Sequence, residues 1–427
     1  MVLFVLFFVL IALGMPIAIA VGIVALGYNV ATGTFPFTII PYKMFDIINN
    51  YSLIAVPIFI FAGALVTRIG VTEKLVELGN ELVGRIRGGM SHVNVVASTM
   101  FGGLNGSAVG DAAAVGSILI PAMKKHGFSK GYSAAVTAAG GTIAAIIPPS
   151  IPMIVFASVV PEISIGALFI SGIIPGILIC ISMCVAGYIV SVKRNYPKIE
   201  TPFKLKKLIA DFVQAIPALI LVAIIIFGLR SGVFTPTEIA SVIVVYALIL
   251  GVFIYRNLTV EQFFAALYET VMTTGIVFLI IACAAPFMWM VTKIGVTESI
   301  CSALLGISTN PFIWWIVVAV FLLFAGMVMD ITANLLILGP IVFTAAQKLG
   351  FDPLITALVI VMILLMGIAT PPVGIALYAT CAIADESIEK ASVEIIPFLI
   401  AEGIVVALII IFPEIAKFLP RLFGYVV

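Results

Sequence analysis

The chain repeats the run Val66-Thr67-Arg68-Ile69-Gly70-Val71-Thr72-Glu73 as Val291-Thr292-Lys293-Ile294-Gly295-Val296-Thr297-Glu298. Further matches follow in the same order. Asn105-Gly106-Ser107 corresponds to Asp330-Ile331-Thr332, and Pro148-Pro149 corresponds to Pro371-Pro372. Two related halves, each with apolar segments interrupted at matching points, are typical of membrane transporters built from internal repeats. The repeat therefore predicts two structurally equivalent halves with polar interruptions at the same depth.

The composition is that of an integral membrane protein. Of 427 residues, 63% are hydrophobic and 10% are charged, whereas about 25% of the residues of a soluble domain are charged. The net charge of +1 gives no indication of a nucleic-acid partner. The 5 cysteines lie in apolar segments without paired spacing, so we interpret them as packing residues. The apolar N-terminus has no basic residues before it, and we expect a retained first span.

Several segments are apolar and long enough to cross a bilayer. They are 2–28, 52–67, 131–160, 163–192, 209–229, 232–255, 271–292, 353–383 and 391–416. Residues 71–87, 259–270 and 36–50 have the pattern of amphipathic helices at the membrane interface, with ordinary short loops as the alternative.

Two further stretches, 92–123 and 311–347, are each longer than one span and are broken at the centre by small or polar residues. This pattern predicts re-entrant hairpins. With both as hairpins and a cytoplasmic N-terminus, most of the 21 basic residues lie on the cytoplasmic side. The first hairpin then opens to the cytoplasm and the second to the outside, so the repeat is inverted. A complete crossing at 92–123 would instead place the basic linker 193–207 outside.

The predicted fold is an all-α polytopic membrane protein, an inverted repeat with two re-entrant helical hairpins and two discontinuous helices. We expect five regions along the chain. They are 1–50 (N-terminal span and interfacial scaffold), 51–192 (first inverted repeat), 193–260 (cytoplasmic linker and scaffold spans), 261–385 (second inverted repeat) and 386–427 (C-terminal span).

The interruptions carry the polar chemistry. In the first hairpin the glycines and the Asn-Gly pair between Phe101 and Asp111 favour a turn. Consecutive prolines remove amide donors, so the crossings at Pro148-Pro149 and Pro371-Pro372 should unwind. Freed carbonyls cannot face lipid, and with Asn, Ser and Asp oxygens they form an environment suited to Na⁺. We therefore expect one cation site per half.

The candidate ligands follow from these interruptions. Candidate sodium ligands are Gly103, Asn105, Ser107, Ile147, Pro148, Ser150, Gly326, Asp330, Thr332, Asn334, Ala369, Thr370 and Gly374. Candidate substrate ligands are Asn105, Ser107, Thr142, Ser150, Thr332 and Thr370. Supporting residues are Asp111, Pro149, Pro371 and Pro372. No Lys or Arg occurs on either hairpin tip or either break, so an anionic substrate would be held by amides, hydroxyls and bound Na⁺.

Few ionisable groups lie at membrane depth. Asp330 is aligned with Asn105 on a hairpin tip and is the best candidate for a carboxylate that acts on a cation. Asp111 could orient the other tip, or could be a cap. Glu238 and Glu402 lie in otherwise plain spans, where a structural role is the alternative. The sequence contains no recognisable catalytic constellation, and we expect no enzyme activity and no metal other than Na⁺.

These residues resemble a known family. The run from Gly106 to Ser117, the Ile146–Met153 segment, Met329-Asp330 and the run from Ala369 to Gly374 are similar to the large (DctM-like) membrane subunit of TRAP transporters, the tripartite ATP-independent periplasmic transporters. The resemblance covers essentially the whole chain. One departure is Gly110, where family members often carry Ala.

The resemblance implies partners and a mechanism. Such subunits work with a small four-span membrane subunit and a periplasmic substrate-binding protein in the bacterial inner membrane. They take up organic acids such as C4-dicarboxylates or sialic acid with a Na⁺ gradient and no cofactor. An elevator mechanism would move residues 92–192 and 311–427 against a scaffold drawn from the first span and 205–260. We expect the small subunit to be separately encoded.

Three other functions are alternatives to this interpretation. A stand-alone anion/Na⁺ symporter of similar design is the nearest alternative. A channel is disfavoured because two hairpins in one polypeptide do not form the usual oligomeric filter. An intramembrane enzyme is disfavoured because the chain lacks a set of catalytic residues.

Overall fold

The structure is a computed structural model and describes residues 2–198, 204–231, 234–307 and 310–426. Residues 199–203 of the predicted polar linker lie outside this part. The described residues form helices joined by short connections, with no strand among them. Helices are expected, because a chain surrounded by lipid must satisfy its backbone hydrogen bonds internally. Seven of the described helices are long and apolar enough to cross a bilayer, or eight if one bent pair is counted as a span.

The first part of the chain ends after a 29-residue helix. Its helices are α1 Val2–Ala12, α2 Ile17–Thr32, α3 Ile39–Ile48, α4 Ala55–Arg68, α5 Val71–Val83, α6 Gly89–Asn105, α7 Ala108–Lys125, α8 Lys130–Ala144, α9 Ile151–Val159 and α10 Ile165–Lys193. A single 3₁₀ turn, Tyr51–Ile54, precedes α4.

The second part begins with two helices that lie between the repeats. Its helices are α11 Leu205–Ser231, α12 Pro236–Ile249, α13 Val260–Lys293, α14 Val296–Ile307, α15 Pro311–Val328, α16 Ile331–Ile337, α17 Gly339–Lys348, α18 Pro353–Ala369, α19 Ile375–Ala384, α20 Ile388–Ile411 and α21 Glu414–Leu422. A π turn, Leu250–Ile254, follows α12.

The two halves have the same helix order. The series from α4 to α10 corresponds to α13, α14, α15, the pair α16–α17, α18, α19 and α20. The predicted interruptions are confirmed, because breaks separate α6 from α7, α15 from α16, α8 from α9 and α18 from α19. The halves differ in the segment that follows the first interruption. In the second half α16 and α17 are bent by 43° at Leu338, whereas the corresponding helix of the first half, α7, is continuous.

Three predicted boundaries are wrong. The first span, 2–28, is two helices, because Gly14 has a φ of 83° and Pro16 begins a new helix. The segment 259–270 is not a separate helix, since α13 runs through it for 34 residues, about 51 Å at 1.5 Å per residue. The last span, 391–416, stops at Phe412-Pro413, and a short amphipathic helix, α21, follows.

The halves interlock by reciprocal packing. Helix α9 of the first half packs against α16 and α18 of the second, and α19 of the second half packs against α7 and α8 of the first. In the same way α20 contacts α8 and α10 contacts α18. Each broken helix therefore completes its packing with helices of the other half. Around this interlocked core lie α4 and α13, which contact each other, with α12 packed on α4 and α2 and α3 packed on α13.

A buried ion-pair cluster fixes α5 to α11. The Glu81 side chain is 4% exposed, and one of its carboxylate oxygens lies 2.5 Å from the ammonium of Lys207. Its other oxygen accepts a hydrogen bond from Arg85. The hydrogen bond from Lys207 is the main cause that lowers the pKa of the Glu81 carboxyl, against the opposing effect of burial.

We predict that Glu81→Gln weakens this contact. The lowered carboxyl pKa means that the ionised Glu81 stabilises the folded protein above its ordinary pKa of about 4.3. This stabilisation is lost as the pH falls through the folded-state value. The expected decrease in the free energy of unfolding at pH 7 is about 1 kcal/mol, because Lys207 is half exposed and solvent screens the pair.

The measurement is thermal unfolding of the detergent-solubilised protein between pH 4 and pH 7. The matched control is Glu77→Gln, which breaks an exposed ion pair with Lys74 at 3.0 Å and should leave the unfolding temperature nearly unchanged. Equal unfolding temperatures for wild type and Glu81→Gln at pH 7 would contradict the assignment.

Candidate functional site

The tip of the first hairpin is a two-residue connection between α6 and α7. Helix α6 ends at Asn105, and Gly106 follows with a φ of 65°, which a residue with a Cβ adopts at a cost. The Gly106 amide donates to the carbonyl of Gly102 at 3.2 Å. Ser107 caps α7, and its hydroxyl accepts from the Gly110 amide at 3.2 Å. The turn predicted from the glycines and Asn-Gly is therefore present.

The first broken helix is capped in a similar way. Helix α8 ends at Ala144, and α9 begins after Ser150. The Ser150 hydroxyl accepts from the Met153 amide at 3.3 Å and donates to the Ala145 carbonyl at 2.5 Å. The Pro148-Pro149 peptide is cis, as is Pro371-Pro372. These two hydrogen bonds of Ser150 link the end of α8 to the start of α9, and Ser150 is fully buried.

The first tip contacts the first break directly. The Ile151 amide, at the start of α9, donates to the Gly106 carbonyl at 3.2 Å. A Cβ on Gly106 would collide with the carbonyl of Pro149. A Cβ on Gly103 would meet the Val222 side chain of α11 at 2.9 Å and would lie 3.6 Å from the Pro148 carbonyl oxygen. At Gly106 the backbones of the tip and the break therefore meet without an intervening side chain.

The tip of the second hairpin carries the carboxylate. Asp330 caps α16, and its side chain accepts from the Thr332 amide at 2.8 Å. The Asn334 amide group donates to the carbonyls of Ala325 and Met329 at 3.2 and 3.1 Å, which satisfies the end of α15. The side-chain oxygen of Asn334 is buried without a hydrogen-bond partner. It is a free acceptor close to the tip.

The second break is more open than the first. The Thr370 hydroxyl donates to the Met366 carbonyl at 2.6 Å, and Gly374 begins α19 with a φ of 45°. Pro372 is exposed and Val373 is 47% exposed, whereas Pro148 and Pro149 are buried. Both breaks therefore contain a Pro-Pro pair, but the residues of the second break are more exposed than those of the first.

A cavity of about 230 Å³ lies where these elements converge. The N-termini of α7, α9, α16 and α19 contribute to its wall, which places the start of one helix from each tip and each break on the same space. The rest of the wall comes from α4, α13 and α18. The lining residues are Ile60, Ser107, Ala108, Val109, Ile151, Pro152, Thr273, Ile276, Val277, Ile280, Asp330, Ile331, Thr332, Leu365, Ile368 and Ile375.

The electrostatic potential in the cavity is set by helix N-termini and one carboxylate. The first amides of a helix have no partners within the helix, and the helix dipole gives this end a partial positive charge. The dipoles of all four helices favour an anion in the cavity, although the Ile151 and Met153 amides of α9 already donate to Gly106 and Ser150. Asp330 is the acidic side chain in the lining, and the described lining contains no Lys or Arg. The site can therefore hold an anion beside a cation without a basic side chain.

The candidate ligands divide into two groups. Ser107, Asp330 and Thr332 line the cavity. Most of the others lie at the tips and breaks. Those at the first tip and break are Gly103, Asn105, Ile147, Pro148, Pro149 and Ser150, and those at the second are Gly326, Asn334, Ala369, Thr370, Pro371, Pro372 and Gly374. Asn105 packs on α4, because its side-chain oxygen faces Gly63. Gly326 packs against Gly367, where α15 and α18 cross closely.

Three other predicted positions lie outside the cavity. The Thr142 hydroxyl is buried and bonds the Ala139 carbonyl at 2.7 Å and Glu402 at 3.1 Å. Glu238 is not at a buried membrane position, because it forms an exposed capping box with Thr235 at the start of α12. Asp111 is fully buried in the first turn of α7.

The wall formed by α13 was not predicted from the sequence. Thr273, Ile276, Val277 and Ile280 recur at helical spacing, but so do the residues of any apolar helix. Their position on the cavity follows from the contact of α13 with α4 and α16. The position of these residues on the cavity is therefore decided by tertiary packing, which the sequence pattern does not encode.

Comparison with known proteins agrees with this architecture. Residues 4–415 match the family described as Tripartite ATP-independent periplasmic transporter, DctM component. The chain is 36% identical over 416 residues to the sialic acid TRAP transporter large permease protein SiaM of Vibrio cholerae, which covers 96% of each chain. It is 34% identical over 382 residues to the C4-dicarboxylate TRAP transporter large permease protein DctM of Pseudomonas aeruginosa, over 90% of this chain and 89% of that protein.

A third relative is the 2,3-diketo-L-gulonate TRAP transporter large permease protein YiaN of Escherichia coli, 32% identical over 405 residues and 95% of each chain. The matched region contains both hairpin tips and both breaks, and the resemblance drawn from the motifs is confirmed. Members of this family are permease subunits and not enzymes. The chain therefore belongs to the DctM family of large membrane subunits of the tripartite ATP-independent periplasmic transporters.

Proposed function

We propose that this subunit carries out Na⁺-coupled uptake of an organic acid across the bacterial inner membrane. The observation that carries the proposal is the convergence of four helix N-termini and the Asp330 carboxylate on one cavity. Amide ends favour an anion, and the carboxylate favours a cation. A site that combines both suits an anion that enters together with a positive ion.

The substrate class follows from the cavity and from the relatives. The lining offers hydroxyls of Ser107, Thr273 and Thr332 between apolar side chains, which suits a small organic anion with polar groups. The named substrates of the relatives are sialic acid, C4-dicarboxylate and 2,3-diketo-L-gulonate. All of them carry carboxylates. We therefore assign an organic acid and leave its identity to the partner that delivers it.

The sodium sites are assigned to the two tips and their breaks. Helix ends expose carbonyl oxygens that have no partner within the helix. In the second half the Asp330 carboxylate and the unpartnered Asn334 oxygen lie near the end of α15. In the first half the Pro148 carbonyl oxygen, in the break after α8, lies close to Gly103 of α6. Each half thus gathers several oxygens from separate segments, which is the arrangement that a hard cation requires.

The movement that completes transport is assigned to the interlocked core. Its tips and breaks line the cavity, and so do α4 and α13. An elevator movement would slide the hairpins and their neighbours along these two helices and expose the cavity on alternate sides. The family is tripartite, and we assign a small four-span membrane subunit and a periplasmic binding protein as the two partners, with a cytoplasmic N-terminus for this chain.

The test is reconstitution of the chain in proteoliposomes. Uptake of radiolabelled organic acid is measured with and without the small subunit and the binding protein, and with an inward Na⁺ or K⁺ gradient. We expect uptake that saturates and requires both partners and Na⁺. Full uptake by this chain alone would support the stand-alone symporter instead, and uptake with a K⁺ gradient would remove the Na⁺ coupling.

We predict that Asp330→Asn raises the Na⁺ concentration for half-maximal uptake by about tenfold, the effect of about 1.4 kcal/mol of lost binding energy. Asn keeps the helix cap and removes the charge, so expression should be unchanged. Ser107→Ala should act in the same direction. The matched control is Ser164→Ala, which removes the cap of α10 outside the cavity. Unchanged Na⁺ dependence in both tip variants would show that the site is misplaced.

We also predict that replacement of Pro148-Pro149 by Ala-Ala reduces the uptake rate severalfold. The two new residues favour continuation of α8, which would draw Ile151 away from the Gly106 carbonyl. The control is Pro217→Ala, because Pro217 lies inside the unbroken helix α11. Wild-type uptake by the double variant, at equal surface expression, would mean that transport does not depend on this interruption.

A further inference from the structure

Three helices of the first half meet tightly around a pair of glycines. A Cβ on Gly140 would lie 2.8 Å from the Ser98 hydroxyl oxygen and 3.4 Å from the side-chain oxygen of Asn94, both on α6. A Cβ on Gly141 would meet the Ala108 carbonyl of α7 at 2.5 Å. Asp111 lies one turn beyond Ala108. The glycine pair therefore brings polar groups of α6 and α7 together against α8.

Four oxygens at this point have no hydrogen-bond partner among the described residues. They are the Asn94 side-chain oxygen, the Ser98 hydroxyl oxygen and both carboxylate oxygens of Asp111. All three side chains are 0% exposed. The Ser98 hydroxyl faces the Asp111 carboxyl, although not with the geometry of an ordinary hydrogen bond. The oxygens thus form a single buried group.

The orientation of Asn94 is fixed by its neighbour. The Thr137 hydroxyl donates to the Ser133 carbonyl at 2.8 Å, so its oxygen is left to accept. The Asn94 amide nitrogen donates to that oxygen at 2.7 Å. The Asn94 oxygen must therefore face Ser98 and Gly140, where it forms no hydrogen bond with a described residue. This side chain is an acceptor aimed into the cluster.

An uncompensated carboxylate in this position would be very costly, because burial removes its hydration. No described Lys or Arg pairs with Asp111. A proton on Asp111 would neutralise the carboxylate and could donate to the Asn94 oxygen, and a cluster in that state would bind no Na⁺. A water molecule would satisfy some of the oxygens and leave the charge. A monovalent cation satisfies the charge and the oxygens together.

We propose that Asn94, Ser98 and Asp111 form a buried Na⁺ site within the first hairpin, separate from the sites assigned to the tips. The inference rests on the proposed Na⁺ coupling and deepens it. The Asp111 amide donates to the Ser107 carbonyl at 2.9 Å, so the site lies one turn behind the residue that lines the cavity. A bound ion ties α6 to α7 and holds Ser107 in place for the substrate.

The experiment measures the binding of ²²Na⁺ to the purified chain with its small membrane subunit by equilibrium dialysis in choline chloride. We expect Asp111→Asn to bind one Na⁺ fewer than wild type. Ser98→Ala keeps the charge and should raise the Na⁺ concentration for half-saturation of one site about tenfold. An unchanged number and affinity of bound ions in both variants would overturn the proposal.

A matched control is available on the other side of α8. Glu402 is also a fully buried carboxyl, but one of its oxygens accepts from the Thr142 hydroxyl at 3.1 Å, so it leaves one unpartnered oxygen where the Asp111 cluster has four. Glu402→Gln should bind as many Na⁺ ions as wild type. Loss of one ion in this variant as well would mean that the binding change reflects general loosening of the core, and it would overturn the assignment to Asp111.

A second measurement covers the case in which the variants are poorly folded. In choline chloride without Na⁺, wild type buries an unpaired carboxylate and Asp111→Asn does not. The variant should then unfold at a temperature equal to or above that of wild type, and gain less from added NaCl. A lower unfolding temperature without Na⁺ would contradict the proposal.

The two hypotheses fail in different ways. If uptake is independent of Na⁺ while Asp111→Asn still loses one bound ion, the coupling is wrong and the buried site stands. If uptake requires Na⁺ and Asp111→Asn binds every ion, the site is wrong and the coupling stands.

Discussion

The structure depends on how the freed backbone groups at the helix breaks are satisfied. Lipid offers no partner to an amide or a carbonyl, so an interrupted helix is stable only where protein supplies one. The hydrogen bond from the Ile151 amide to the Gly106 carbonyl meets this condition between two separate interruptions. Gly106 allows it, because a side chain there would strike Pro149. The same contact directs the starts of α7 and α9 toward the cavity.

The two halves differ in how the freed backbone groups at their breaks are satisfied. In the first half the tip is bonded to the break, and both prolines are buried. In the second half the tip is closed mainly by its own side chains, Asp330 and Asn334, and Pro372 stays exposed. The first tip and break are therefore held together by backbone contacts, whereas the second half brings the Asp330 carboxylate and a more accessible backbone to the cavity.

The sequence was sufficient where a local chemical signal existed. The glycines before Ser107 and the two pairs of prolines predicted three of the interruptions, because these residues act on their own backbone, and the fourth, at Asp330, was predicted from the repeat. The break near Gly14 had a signal of the same kind, but the apolar run around it suggested one span. The length of α13 and its wall of the cavity could not be predicted, since they depend on packing against α4. The cluster at Asn94 and Ser98 likewise becomes visible only when Gly140 brings the two helices together.

The exchange of α9 and α19 between the halves has a consequence for biogenesis. The segment after the first break is synthesised about two hundred residues before α16 and α18, on which it packs. Until then its apolar surface must be shielded by lipid or by the insertion machinery. A polypeptide with one repeat alone would need a second copy to supply the missing surfaces. The gene duplication recorded in the chain thus joined two mutually dependent partners into a single translation product.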